Sequence, residues 1–97
     1  MASDMRSFTV ENSSTGIVGG RYVSRSPLAA AKKAVSRRLL RNTRHATVRF
    51  ELRETTSGSA HSIFYYTACA TKLRVPKTVV RDGRRIVYRR RYDVQAQ

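Results

Sequence analysis

The sequence predicts an α+β fold: a curved antiparallel sheet of five to six strands, bent toward a pseudo-barrel, with one helix in the order β-β-α-β-β-β. Three observations carry this. Short runs with strand alternation are separated by Gly-, Ser- and Asn-rich turns. A single segment, opening at Ser26-Pro27, has helical periodicity. Near the end, Asp82-Gly83 stands between two β-prone runs, the preferred sequence of a two-residue hairpin.

Taken in order, residues 1–5 form a polar tail, and Ser7-Phe8-Thr9-Val10-Glu11 alternates polar and apolar as a half-buried strand does. Asn12 to Gly16 is a cluster of turn formers, and Ile17 to Ser24 is a second extended run broken by Gly19-Gly20, which suits a bulge. Together they predict a first hairpin. Ser26 can accept from the free amides of a first helical turn, and Pro27 loses no needed donor there. The alanine-rich stretch that follows has high helix propensity, with Leu28, Ala31, Val35 and Leu39 as its buried stripe and Asn42 as its stop. Lys33, Arg37 and Arg41 form a like-charged row on another face, a spacing that weakens an isolated helix.

Ala46 to Glu54 reads as a strand, with Val48, Phe50 and Leu52 on one side and Arg49, Glu51 and Arg53 on the other. Thr55 to Ser59 is a loop. Ser62 to Cys69 contains Ile63-Phe64-Tyr65-Tyr66, apolar on both faces, which predicts an interior position in the sheet. Lys72 to Lys77 is expected to leave the sheet through Pro76. The hairpin Thr78–Arg81 and Arg84–Tyr88 follows, its last strand running on through Tyr92.

Ninety-seven residues make one domain with a modest core, and 40% hydrophobic content argues against a disordered basic tail. No apolar run reaches membrane-spanning length, and no secretory signal core follows Met1, so neither a membrane partner nor secretion is expected. Cys69 has no disulfide partner, and His45 and His61 have no ligand at zinc spacing. Gly16, Gly19 and Gly20 lack the lysine and helix context of a phosphate loop. No catalytic motif is present, so the expectation is a protein that is not an enzyme and takes no cofactor and no metal.

Charge is the strongest functional signal. Twenty Lys and Arg face six Asp and Glu, for a net charge of +14. A domain with that surplus repels itself, and a polyanion relieves it. The bases are mostly arginine, whose planar fork matches phosphate geometry. Lys72, Arg74, Lys77, Arg81, Arg84, Arg85, Arg89, Arg90 and Arg91 are concentrated in residues 72–92, against Asp82 alone. On a hairpin they alternate between faces, making a basic arm able to clamp phosphates on both sides. Edge-strand protection against aggregation accounts for one or two bases, not for nine of one sign. Tyr65, Tyr66, Tyr88 and Tyr92 could stack on bases if they faced outward, but a core this small is expected to take most of them.

The order of landmarks resembles the archaeal non-histone chromosomal protein family of methanogens and halophiles, whose domain recurs in large DNA viruses. The matching stretches are Arg6-Ser7-Phe8-Thr9-Val10, Gly16, Pro27-Leu28-Ala29-Ala30-Ala31-Lys32-Lys33-Ala34, Phe50-Glu51-Leu52-Arg53-Glu54 and Ile63-Phe64-Tyr65-Tyr66. The likeness spans roughly residues 6–94, and the stretch from Arg53 through Gly58-Ser59 to Tyr88 is closer to the viral versions. The resemblance implies a protein that is monomeric when free and binds and bends duplex DNA without strong sequence preference. It would sit on a chromosome or viral genome, in a nucleoid, nucleus or virion interior. It carries DNA contacts onto Arg6, Arg25 and Arg89-Arg90-Arg91. The archaeal proteins use a tryptophan before the last strand. This chain has none, and its Val79 and Val80 are expected to pair within the hairpin. The rival expectations are a minor or internal virion component that contacts acidic virion proteins, and a ribosomal or other RNA-binding protein.

Overall fold

A computed structural model describes residues 5–40 and 46–97, apart from the side chains of Tyr88 and Arg89. Strands β1 (Arg6–Ser13) and β2 (Gly19–Ser24) precede helix α1 (Pro27–Ala34), which continues as a wider π-helical turn, Val35–Leu39. Then come β3 (Thr47–Glu54), β4 (Ile63–Arg81) and β5 (Arg84–Ala96). The strands form one antiparallel sheet in the order β2-β1-β3-β4-β5. The α+β class and the element order are those predicted. The barrel-like closure is not: β2 and β5 are the two edges of an open sheet. The helix, rather than a second wall of strands, covers the apolar face, so nothing drives the edges together.

Helix α1 begins as its sequence dictates, with the Ser26 hydroxyl accepting from the Ala29 amide at 3.2 Å and Pro27 in the first turn. Ala30, Ala31 and Ala34 are fully buried, their small side chains letting the helix lie close on the sheet. Of the expected stripe, Ala31, Val35 and Leu39 are buried, but Leu28 is 40% exposed. It stands just past β2, an edge with no further strand to cover it. After Ala34 the helix widens, and the Leu40 amide reaches the Val35 carbonyl at 3.0 Å. The five-residue spacing turns both Leu39 and Leu40 inward. Of the like-charged row, Lys33 turns back to the sheet, its amine donating to the Val23 carbonyl of β2. Arg41, Asn42 and His45 lie outside the described residues.

The core is one-sided. Phe8 and Val10 of β1, Tyr22 of β2, Val48, Phe50 and Leu52 of β3, and Tyr66 and Ala68 of β4 face the helix. Phe8 meets Phe64 edge-to-face at 6.1 Å, and Phe50 stacks on Tyr66 at 5.6 Å. In the first hairpin the register shifts between Phe8 and Val10, opposite the predicted glycine bulge. A Cβ on Gly20, whose φ is +82°, would lie 2.8 Å from the Tyr22 hydroxyl, so the bulge requires glycine there.

The largest departure from expectation is β4. Lys72 to Lys77 do not leave the sheet; the strand runs 19 residues without a break. Pairing passes from Lys72↔Arg90 to Lys77↔Tyr88, so Leu73–Pro76 bulge opposite a single residue of β5. A bulge leaves residues unpaired, and Pro76, which has no amide to donate, is accommodated there. The hairpin closes at Asp82-Gly83 with φ of 51° and 72°, the two positive values of a type I′ turn. The radius of gyration, 14.4 Å, exceeds the roughly 12.5 Å of a compact chain this long. The projecting β4–β5 hairpin accounts for the excess.

Candidate nucleic-acid interface

Beyond Lys72 and Arg90 the two strands run past the core as a bare ribbon, about 20 Å from Arg90 to Arg84. Alternation along β5 puts Arg84, Ile86 and Arg90 on one face and Arg85, Val87 and Arg91 on the other. The register then sets Lys72 directly opposite Arg90, and Arg81 opposite Arg84. Cross-strand partners have Cβ atoms about 5 Å apart, and like charges so placed destabilise the pair. Arg90 is engaged within the protein, but the other bases of the arm find little relief. Lys72, Arg74, Lys77, Arg81, Arg84 and Arg85 are exposed and make no ion pair among the described residues. Arg91 reaches Asp93 at 3.3 Å, with both side chains mostly in solvent, a pair of little energetic weight. Arg89 lies in this strand with its side chain outside the described atoms.

At the root of the arm, Ser36 on the helical turn and Leu73, Lys77, Arg90, Arg91 and Tyr92 on the ribbon line an open cleft of about 380 Å³. Arg90 donates to the Leu40 carbonyl at 3.3 Å. Carbonyls at a helix end lack intrahelical donors and carry the negative end of the dipole, so this contact ties the arm to the body. Ser36 had no sequence signal as a site residue, because only the π-helical turn brings it beside the ribbon.

Arg25 is exposed but follows β2, at the opposite edge of the sheet from β5, about 19 Å away across four strand spacings. It does not join the cluster on the arm. Arg6 is engaged within the fold. Its Nε and Nη2 donate to the two Glu54 oxygens at 2.8 and 2.9 Å, and its guanidinium lies 5.3 Å from the Phe8 ring centre. A bidentate carboxylate occupies the fork that a phosphate would need. Arg6 therefore belongs to the framework. Of the tyrosines, Tyr66 is buried and Tyr92 packs against the core, whereas Tyr65 is exposed.

The hydrogen bond from Arg6 holds the Glu54 carboxyl down at about 2, against the opposing effect of burial and with help from the Thr56 hydroxyl. A carboxyl lowered on folding stabilises the fold above its ordinary 4.5, and that contribution disappears as pH falls toward 2. Glu54→Gln is expected to flatten the acid limb of a urea-midpoint profile across that window. Parallel wild-type and variant profiles would show that the pair contributes nothing.

Among the described residues no group of His, Cys, Asp and Glu could hold a metal, and no helix is long and apolar enough to cross a membrane. No protein-family model, no curated protein and no solved structure matches this chain.

Proposed function

We propose that this is an architectural, largely sequence-nonspecific DNA-binding protein that neutralises, bends or compacts duplex DNA through arginine–phosphate contacts. The observation that carries the reading is the like-charge pairing of Arg81 against Arg84 at the tip of the arm, with Lys72, Arg74, Lys77 and Arg85 also exposed and without an ion pair among the described residues. Such a ribbon is stabilised by an anion on each flank. A nucleic-acid backbone supplies anions in a row, and a major groove admits a two-stranded ribbon. The resemblance to archaeal and viral chromosomal proteins supports the same reading and a location on a chromosome or viral genome.

Affinity of this origin comes from counterion release. With about six phosphates neutralised, log K falls with log[salt] at a slope near −5, and a fourfold rise in salt costs on the order of a thousandfold. A salt-titrated binding series on random duplex DNA tests this, with structured RNA as competitor. A flat salt dependence removes the proposal. Preferential loss to RNA reassigns the ligand, and failure to shift duplex DNA at moderate salt favours an acidic virion protein as the partner.

A further inference from the structure

We propose that the outer face of the sheet, opposite the helix, holds a single unstacked nucleotide, with its base on Tyr65 and its phosphate at Arg49. An antiparallel sheet with one solvated face normally alternates apolar and polar residues along each strand. Strand β4 does not: Phe64 and Tyr66 face the core, yet Ile63 and Tyr65 on the other side remain 41% and 51% exposed. Beside Tyr65 opens a cleft of about 300 Å³, lined by Asn12, Ser14, Arg49, Glu51 and Gln97 among others. That volume suits one small ligand rather than a helix or a protein loop.

The polar groups around the ring are of the kinds a nucleotide needs. Glu51 is paired directly with Tyr65 across the β3–β4 ladder, and Arg49 lies two residues along the same face. Neither forms an ion pair among the described residues, whereas the next base on that face, Arg53, is engaged by Glu11 at 2.8 Å. A carboxylate accepts from base amino groups, as in cytosine recognition, and Arg49 meets the phosphate. The rim is fixed in advance. The Ser14 amide donates to the Arg49 carbonyl at 2.8 Å, the Arg49 amide donates to the Ser14 hydroxyl at 3.0 Å, and the Gln97 amide donates to the Tyr65 carbonyl at 3.0 Å. An exposed ring with hydrogen-bonding edges and a cation beside it is a stacking platform for unpaired bases. The site lies apart from the arm, so it goes beyond duplex binding. It equips the protein to hold DNA or RNA whose strands are locally separated.

Stacking and phosphate contact respond differently to salt, and this provides the test. Wild type, Tyr65→Ala, Tyr65→Phe and Glu51→Gln are titrated against single-stranded hexadeoxycytidylate and against a 20-base-pair duplex over a range of salt. Tyr65→Ala is expected to bind the hexamer roughly 5- to 150-fold more weakly with an unchanged salt slope, while Tyr65→Phe keeps wild-type affinity. Glu51→Gln is expected to reduce the preference for hexadeoxycytidylate over hexathymidylate. Duplex affinity should stay as in wild type for all three. Equal hexamer affinity of wild type and Tyr65→Ala overturns the inference. So does a wild-type dimer in sedimentation that Tyr65→Ala dissolves without changing hexamer affinity, since the face would then be a self-association surface. Wild type binding the duplex but not the hexamer overturns this inference and leaves the proposed function standing. Tyr65-dependent hexamer binding without duplex binding supports the inference and overturns that function.

Discussion

Replacing Arg81, Arg84 and Arg85 together with alanine is expected to weaken duplex binding on the order of a hundredfold at physiological salt while making the free protein more stable. The first effect follows from counterion release: three fewer phosphates flatten the log–log slope by about 2.7, which at 0.15 M salt is worth about two decades of affinity. The second follows from the register, which places Arg81 and Arg84 directly opposite each other beside the Asp82-Gly83 turn. Removing that repulsion returns a fraction of a kcal/mol, up to about 1, seen as a higher melting temperature at low salt. These opposite signs are diagnostic. A variant that loses stability and affinity together has lost its fold, and one that keeps the full slope places the interface elsewhere on the surface. Tip residues serve this test better than Arg90, because Arg90 also holds the Leu40 carbonyl and its loss would loosen the arm from the helix.

Phe8→Ala is expected to cost about 3–5 kcal/mol, against a total stability of about 5–15 kcal/mol for a domain of this kind. Phe8 is fully buried on the sheet's inner face, on the strand next to the β2 edge, edge-on to Phe64, with the Arg6 guanidinium over its ring. Truncation leaves a cavity between β1 and the helix and removes the surface that orients Arg6 toward Glu54. The sheet has apolar cover on one side only, so no second layer can collapse into the space. Urea unfolding followed by circular dichroism measures the loss. A cost below about 1 kcal/mol would mean the core repacks freely and the one-layer description is wrong.

Much of this architecture was legible in the chain because the decisive signals are local. Ser26-Pro27 starts a helix by capping chemistry, and Asp82-Gly83 closes a hairpin through two positive φ values. The alternation Val48, Phe50, Leu52 sorts a strand into inner and outer faces without reference to any other part of the molecule. Where reading failed, the cause was a contact distant in sequence. Pro76 signals a chain leaving a sheet, and only the pairing of β5 on both sides of it shows a bulge instead. The partner of Arg6, Glu54, lies 48 residues away, and no local pattern reveals that pairing.

By itself, the sequence determined the α+β class, the order of elements, the turn at Asp82-Gly83 and the concentration of positive charge in the C-terminal third. Each of these depends on interactions within a few residues or on composition, which no folding event alters. Tertiary structure decided that the sheet stays open, that like charges face each other at Lys72–Arg90 and Arg81–Arg84, and that Tyr65 stays uncovered beside Arg49 and Glu51. Those outcomes depend on strand register and on which face the helix covers. A shift of one residue would reverse every side chain on a strand, and only the packed core chooses between the two registers.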